Sequence, residues 1–121
     1  MKSKDFWMYA FFSILLISIG GTMNVIAMDS NDCEMPVKTD YPEQYESNAC
    51  YFGFEEFNEV NKPYLSDFIK VPYTKGRILT NSIGDIIAFI GMILLVVVSI
   101  LNLIGLWKGK RIKKKEDLDY S

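Results

Sequence analysis

Two cysteines and a scatter of carboxylates are the side chains of this sequence with chemistry to offer. Cys33 and Cys50 are its only cysteines. Outside the cytoplasm such thiols oxidise. A disulfide between them would close a loop of about 18 residues, worth roughly 3 kcal/mol in the chain-entropy account. Zinc is a poor alternative, because a structural site needs four ligands and the chain contains no histidine to complete one. A structural Cys33–Cys50 disulfide is therefore expected. The acids Glu55, Glu56 and Glu59, and likewise Asp29, Asp32 and Glu34, lack the ligand spacing of a calcium loop and read as solvated acidic faces.

The absence of histidine reaches further. It removes the imidazole proton shuttle, the Ser–His–Asp and Cys–His pairs, and the His ligands of haem, copper and zinc. Neither a GxxxxGK[ST] phosphate loop nor a GxGxxG turn occurs. No catalytic, cofactor-binding or metal-ligating residue is expected, no small-molecule substrate, and no enzyme.

The elements that would position these side chains are set by hydropathy. Half of the 121 residues are apolar, and they are concentrated: residues 6–28 and 86–107 contain no charged side chain. About 20 apolar residues cross a bilayer core of roughly 30 Å, and both stretches meet that length. The remainder is too short and too charged to bury two such helices in a soluble core. Trp7 and Tyr9 at one end of the first stretch, and Trp107 at the end of the second, suit the headgroup level. The first stretch has two readings: a retained span, which we prefer, or a secretory signal cleaved after Ala27. Its Gly20-Gly21 pair suits both. In the second stretch Gly91 and Gly105 are too far apart to form a GxxxG face. Ser99 is expected to bond to its own helix. Asn102 reaches either a partner helix or the headgroups, and Asn24 carries the same ambiguity.

Charge orients the chain. Residues 1–5 carry net +1. Residues 29–85 hold 11 acidic and 5 basic side chains, net −6. Residues 108–121 hold 6 basic and 3 acidic, net +3. Lysine and arginine beside membrane helices stay on the cytoplasmic side, so both ends are expected inside and residues 29–85 outside. The Lys108–Lys115 cluster reads as a stop-transfer and lipid anchor rather than a nucleic-acid site, and the acidic end beyond it, residues 116–121, as unstructured.

All four prolines lie in residues 29–85 and disfavour continuous helix there. Residues 51–60 are expected to form a short helix or strand, with Phe54 and Phe57 on one face if helical. The segment also carries nine aromatic side chains, more than a stapled mini-domain buries comfortably. The surplus implies a protein partner, with Tyr51, Phe54 and Phe57 as candidate interface residues and Asn102 as the candidate within the membrane.

The fold class expected is thus all-α membrane: a two-transmembrane-helix hairpin around a small, disulfide-stapled extracytoplasmic segment. It divides into a cytoplasmic stub (1–5), a transmembrane helix or signal (6–28), the outer segment (29–85), a second transmembrane helix (86–107) and a basic tail (108–121). The protein would be multi-pass in the cell membrane, or single-pass if residues 1–27 are removed. The function expected is an accessory or assembly subunit, or modulator, of a larger membrane complex, with lipid and a membrane protein as partners. The alternative is a membrane-permeabilising or immunity-type, holin-like protein, against which the spans' lack of a polar stripe counts. Reporter fusions at Ser3 and Ser121 should behave as cytoplasmic and one at Tyr64 as external; a cytoplasmic Tyr64 reporter would overturn the assignment.

Overall fold

The computed structural model describes residues 2–45 and 50–120. Two long helices, α1 (Ser3–Asp29) and α2 (Ile83–Asp119), account for most of the chain. Both are long and apolar enough to cross a membrane. Large apolar side chains such as Phe11, Val25, Phe89, Val96 and Leu103 stand uncovered along their outer faces, the arrangement a helix adopts when its surroundings are themselves apolar.

The helices run antiparallel. Asn24 meets Asp85, Gly20 meets Gly84 and Ala88, and Ser13 and Ile17 meet Gly91. As α1 is followed backwards, α2 is followed forwards. The facing positions recur at spacings of three and four, 10, 13, 17, 20, 24 and 27 on α1 and 84, 88 and 91 on α2, with Val98 a further seven along. The buried members are small apart from Val98, namely Ala10, Ser13, Gly20 and Ala27 against Gly84 and Gly91. Between helices surrounded by apolar solvent, association rests on close backbone approach, which small residues permit. A β-carbon added at Gly84 would lie 2.6 Å from the Gly20 carbonyl oxygen, and one at Gly91 would lie 2.8 Å from that of Ser13. The seam uses Gly84, two residues before the uncharged stretch begins, with Ala88 and Gly91. Ser99 bonds to the Leu95 carbonyl of its own helix at 2.7 Å, as expected.

α2 does not end at Trp107. It continues as one helix through the basic tail to Asp119, so most of the acidic end expected to be unstructured is helical. The tail from Lys108 to Asp119 holds five lysines and an arginine, which suit a helix, and no proline. Arg111 lies over the Trp107 ring at 4.8 Å.

The segment between the helices is not helical as the all-α class required. It forms a small head containing four strands: β1 (Met35–Lys38), β2 (Tyr51–Phe54), β3 (Ile69–Thr74) and β4 (Arg77–Asn81). Single 3-10 turns lie at Pro42–Tyr45, Phe57–Glu59 and Pro63–Leu65. The prolines exclude longer helices, leaving short extended pieces to pair. β1 and β2 pair in parallel, Met35 opposite Tyr51 and Lys38 opposite Phe54. Asp67 bridges to the other side of β1: its N–H donates to the Pro36 carbonyl at 2.9 Å, and its carbonyl accepts from Lys38 at 2.8 Å. β3 and β4 form an antiparallel hairpin, turned at Gly76 with φ of 72°, a left-handed conformation that suits glycine. The head's core is Met35, Pro36, Val37 and Phe54.

No disulfide joins Cys33 and Cys50, which corrects the expected staple. Cys33 lies with Asp32 in a left-handed turn that ends α1, at φ of 66° and 54°. Cys50 instead starts the β1–β2 ladder, its carbonyl accepting from Met35 at 2.9 Å. The connection from α1 to the head is made by amides. The Asn31 side chain donates to the Ala27 carbonyl and to the Asn61 carbonyl, both at 2.8 Å, and accepts from the Asn61 N–H at 3.0 Å. A side-chain amide thus pairs with a backbone amide as one strand pairs with another.

The glycine seam makes a paired prediction. Gly20→Leu should force the helices apart at a cost of about 1–3 kcal/mol, the usual range for overpacking. Gly21→Leu, whose added β-carbon meets nothing, should leave stability unchanged. Thermal unfolding of the two variants in detergent tests this, and equal melting temperatures would refute the seam.

Candidate functional site

The polar side chains of this molecule converge where the head sits on the helix pair. α2 starts with a capping box: the Ser82 hydroxyl accepts from the Asp85 N–H at 3.0 Å, and the Asp85 carboxylate accepts from the Ser82 N–H at 3.1 Å. This satisfies two donors that a helix start leaves open. The glycine seam brings α1 close enough for Asn24 to join both residues. Its amide N–H donates to Asp85 Oδ1 at 2.6 Å, and its oxygen accepts from the Ser82 hydroxyl at 2.6 Å. Asn24 therefore satisfies a buried serine and a half-buried carboxylate at once.

A second carboxyl group comes down onto this cluster from the head. Asp67 is held by its backbone against β1, and its side chain is only 7 % exposed. Burial raises its pKa to about 7, helped by the negative charge of Asp85 and by a side-chain hydrogen bond between the two carboxyl groups. A buried carboxyl group beside another negative charge holds a proton that it would release in water. The other Asp67 oxygen, Oδ1, is buried without a hydrogen-bond partner. The pair lines a cavity of about 160 Å³, together with Asn24, Met28, Met35, Cys50 and Tyr51. No group of three or more His, Cys, Asp or Glu side chains is placed to hold a metal ion among the described residues.

The residues singled out from sequence are distributed differently. Phe54 is 1 % exposed and forms the centre of the head's core, so its ring is not on the surface. Phe57 follows in a 3-10 turn rather than on a shared helix face. Its ring lies 6.1 Å from that of Phe54, packs edge-on against Phe68 at 5.6 Å, has the Lys38 ammonium over it, and remains 44 % exposed. Tyr51 is exposed and edges the carboxyl cavity. Asn102 lies four residues after the buried Val98 of the α2 seam and is half-buried. Cys33 and Cys50 are exposed. Asp67 and Asp85 were missed. The Ser82-x-x-Asp85 pattern ahead of an apolar run is a capping signal that marks Asp85. No local signal marks Asp67, which the folding of the head delivers to the site.

Residues 6–97 match the family described as "Family of unknown function (DUF5317)". The chain belongs to that family. The match takes in α1, the whole head, the carboxyl pair and the glycine seam of α2, and stops before the basic tail. No curated protein and no solved structure matches the chain.

The carboxyl pair makes stability depend on pH. An aspartate is ordinarily near 3.8 when unfolded, and Asp67 titrates near 7 when folded. Between these values the folded chain keeps a proton that the unfolded chain has lost, so stability is greatest in acid and falls as pH rises to about 7. In detergent with a chelator present, the melting temperature should drop from pH 5 to pH 8. The loss should be on the order of 1–4 kcal/mol, one pKa unit being worth about 1.4 kcal/mol. Asp67→Asn should flatten the curve; an unchanged slope in that variant would remove Asp67 from the account.

Proposed function

We propose that this chain is a non-enzymatic, two-span membrane protein whose extracytoplasmic head docks onto another subunit of a membrane complex. The two helices long and apolar enough to cross a membrane, their antiparallel seam, and the basic flanks at both ends support the hairpin topology. Retention of the first helix is favoured by Ala27, which lies fully buried inside α1 against the rest of the molecule.

The observation that carries the docking reading is the apolar surface left uncovered on the head. Ile78 is 63 %, Tyr64 62 % and Tyr41 60 % exposed. The β3–β4 hairpin has two faces. Val71 and Leu79 turn to a groove shared with Ile86 and Phe89 of α2, continuous with the helix surface that faces lipid. Ile78 turns the other way, into a cleft of about 440 Å³ shared with Tyr41, Tyr45, Lys38 and Lys70. Tyrosines, an aliphatic anchor and flanking lysines in a concave surface are the makings of an interface centre. The holin-like alternative gains little, because Ser13, Thr22 and Ser99 bond to their own helices and Asn24 bonds to the start of α2, which leaves few polar side chains to line a pore.

The test separates docking from folding. Ile78→Asp and Tyr41→Ala should each reduce partner co-purification about tenfold or more, as interface anchors do, while the head stays protease-resistant. Phe54→Ala should lose both, since emptying a buried phenylalanine site costs about 3–5 kcal/mol. Unchanged co-purification in the Ile78 and Tyr41 variants would move the interface elsewhere or remove it.

A further inference from the structure

We infer that the β3–β4 hairpin binds an anionic phospholipid of the outer leaflet, with an acyl chain in the groove between the hairpin and α2 and the phosphate on Lys75 and Arg77. The inference rests on the two-span topology proposed above, and it uses the face of the hairpin opposite the docking cleft. The groove has a volume of about 450 Å³, with Val71 and Leu79 of the hairpin on one side and Ile86 and Phe89 of α2 on the other. Its α2 wall continues beyond the groove. Ile93, Val96 and Ile100 follow Ile86 and Phe89 at spacings of three and four, which keeps them on one side of the helix. Phe89, Ile93, Val96 and Ile100 are all exposed. This side lies across the helix from Gly84, Ala88 and Gly91, which pack on α1. The hairpin therefore overhangs the bare side of the span. Whatever medium covers Ile93 and Val96 also enters the groove, and for a helix that crosses a membrane that medium is the acyl chains of lipid.

The charge of the hairpin selects the lipid. Residues 68–84 contain Lys70, Lys75 and Arg77 and no acid, net +3, whereas the rest of residues 29–85 holds all 11 acids and only 2 bases, net −9. The three cations are exposed, and none makes an ion pair among the described residues. Successive residues of a strand alternate between its faces, so Arg77 shares the face of Leu79 and stands about 7 Å from it along β4. Lys75 lies in the adjoining turn. The one acid that borders the groove, Asp85, sits at the end away from this turn, and its carboxylate accepts from Asn24 and from the Ser82 N–H. An apolar face edged by cations is the pattern of an element that rests on an anionic membrane surface, where each basic group attracts anionic lipid. A neutral lipid would fill the groove and leave the cations unanswered.

Lipid contact is read locally, by fluorescence quenching in the purified full-length chain reconstituted into phosphatidylcholine vesicles with no partner protein. Trp7 and Trp107 are replaced by phenylalanine. A single indole is then introduced at the groove by Leu79→Trp or, on its other wall, by Phe89→Trp, and at mid-span by Val96→Trp as a control. Phosphatidylglycerol or phosphatidylcholine brominated on the acyl chains is added in increasing proportion. Both lipids should quench the control. At the two groove positions phosphatidylglycerol should reach half-quenching at a proportion about fivefold lower than phosphatidylcholine does, the effect of one basic group at the surface. Adding Lys75→Gln and Arg77→Gln should abolish that preference while phosphatidylcholine still quenches. The basic tail is unchanged in this variant, so a preference that persists would belong to the tail and overturn the inference. It is also overturned if the control is quenched and neither groove position is, or if the two lipids quench the groove positions equally. An unquenched control would remove the two-span topology, and the inference with it; a quenched control beside silent groove positions removes the inference alone.

Discussion

The approach of two helix backbones at Gly20 and Gly84 is the constraint on which the rest of this molecule depends. Each glycine has the other's carbonyl where its own β-carbon would be. At that separation Asn24, one turn along α1, reaches Ser82 and Asp85 at the start of α2. The start of α2 is then fixed from three sides: by its own capping box, by the amide of α1, and by β4, which runs directly into Ser82. Were the helices separated by ordinary side chains, the amide would fall short, and both a serine hydroxyl and a carboxylate would lose a partner in a place that water enters poorly.

The head is held by this junction more than by a core of its own. Among the described residues of the head, Phe54 is the one large ring that is fully buried, with Met35, Pro36 and Val37 around it. So small a core closes only with help. The help comes from the backbone of Asp67 along β1, and from Asn31, whose amide ties the end of α1 to Asn61. Lys62 adds a contact to the Ser30 hydroxyl at 2.8 Å. Hydrogen bonds do here what a covalent staple was expected to do, and they do it at the helix end. The same economy explains the uncovered tyrosines and Ile78, for which the head has no interior to offer.

The two long helices were legible in the sequence because they depend on composition over some twenty residues, which no tertiary contact has to supply. The start of α2 is marked too, by the capping pattern Ser82-x-x-Asp85. The strands were not, because β1 and β2 have four residues each and pair in parallel across a dozen others, so no short-range pattern announces them. Phe54 and Phe57 illustrate the difficulty. Spacing by three suggested one helix face, whereas a strand and a 3-10 turn bring the rings close and bury only the first. The seam was hidden by the choice of boundary: Gly84 precedes the uncharged run that defined the span. Asp67 was illegible for a deeper reason, since its meeting with Asp85 is a property of the assembled head and helices and of neither sequence segment alone.

The unbroken length of α2 gives the molecule a mechanical character. At 1.5 Å per residue its 37 residues make a rod of about 55 Å. A hydrocarbon core of roughly 30 Å covers little more than half of that. The twelve residues from Lys108 to Asp119 carry the same helical hydrogen bonds beyond Trp107, about 18 Å further, with no proline to act as a joint. A rod of this kind resists twisting along its axis. Any turn imposed on its capped N-terminal end therefore arrives at the far end as a reorientation of the lysines there, as a shaft passes on torque.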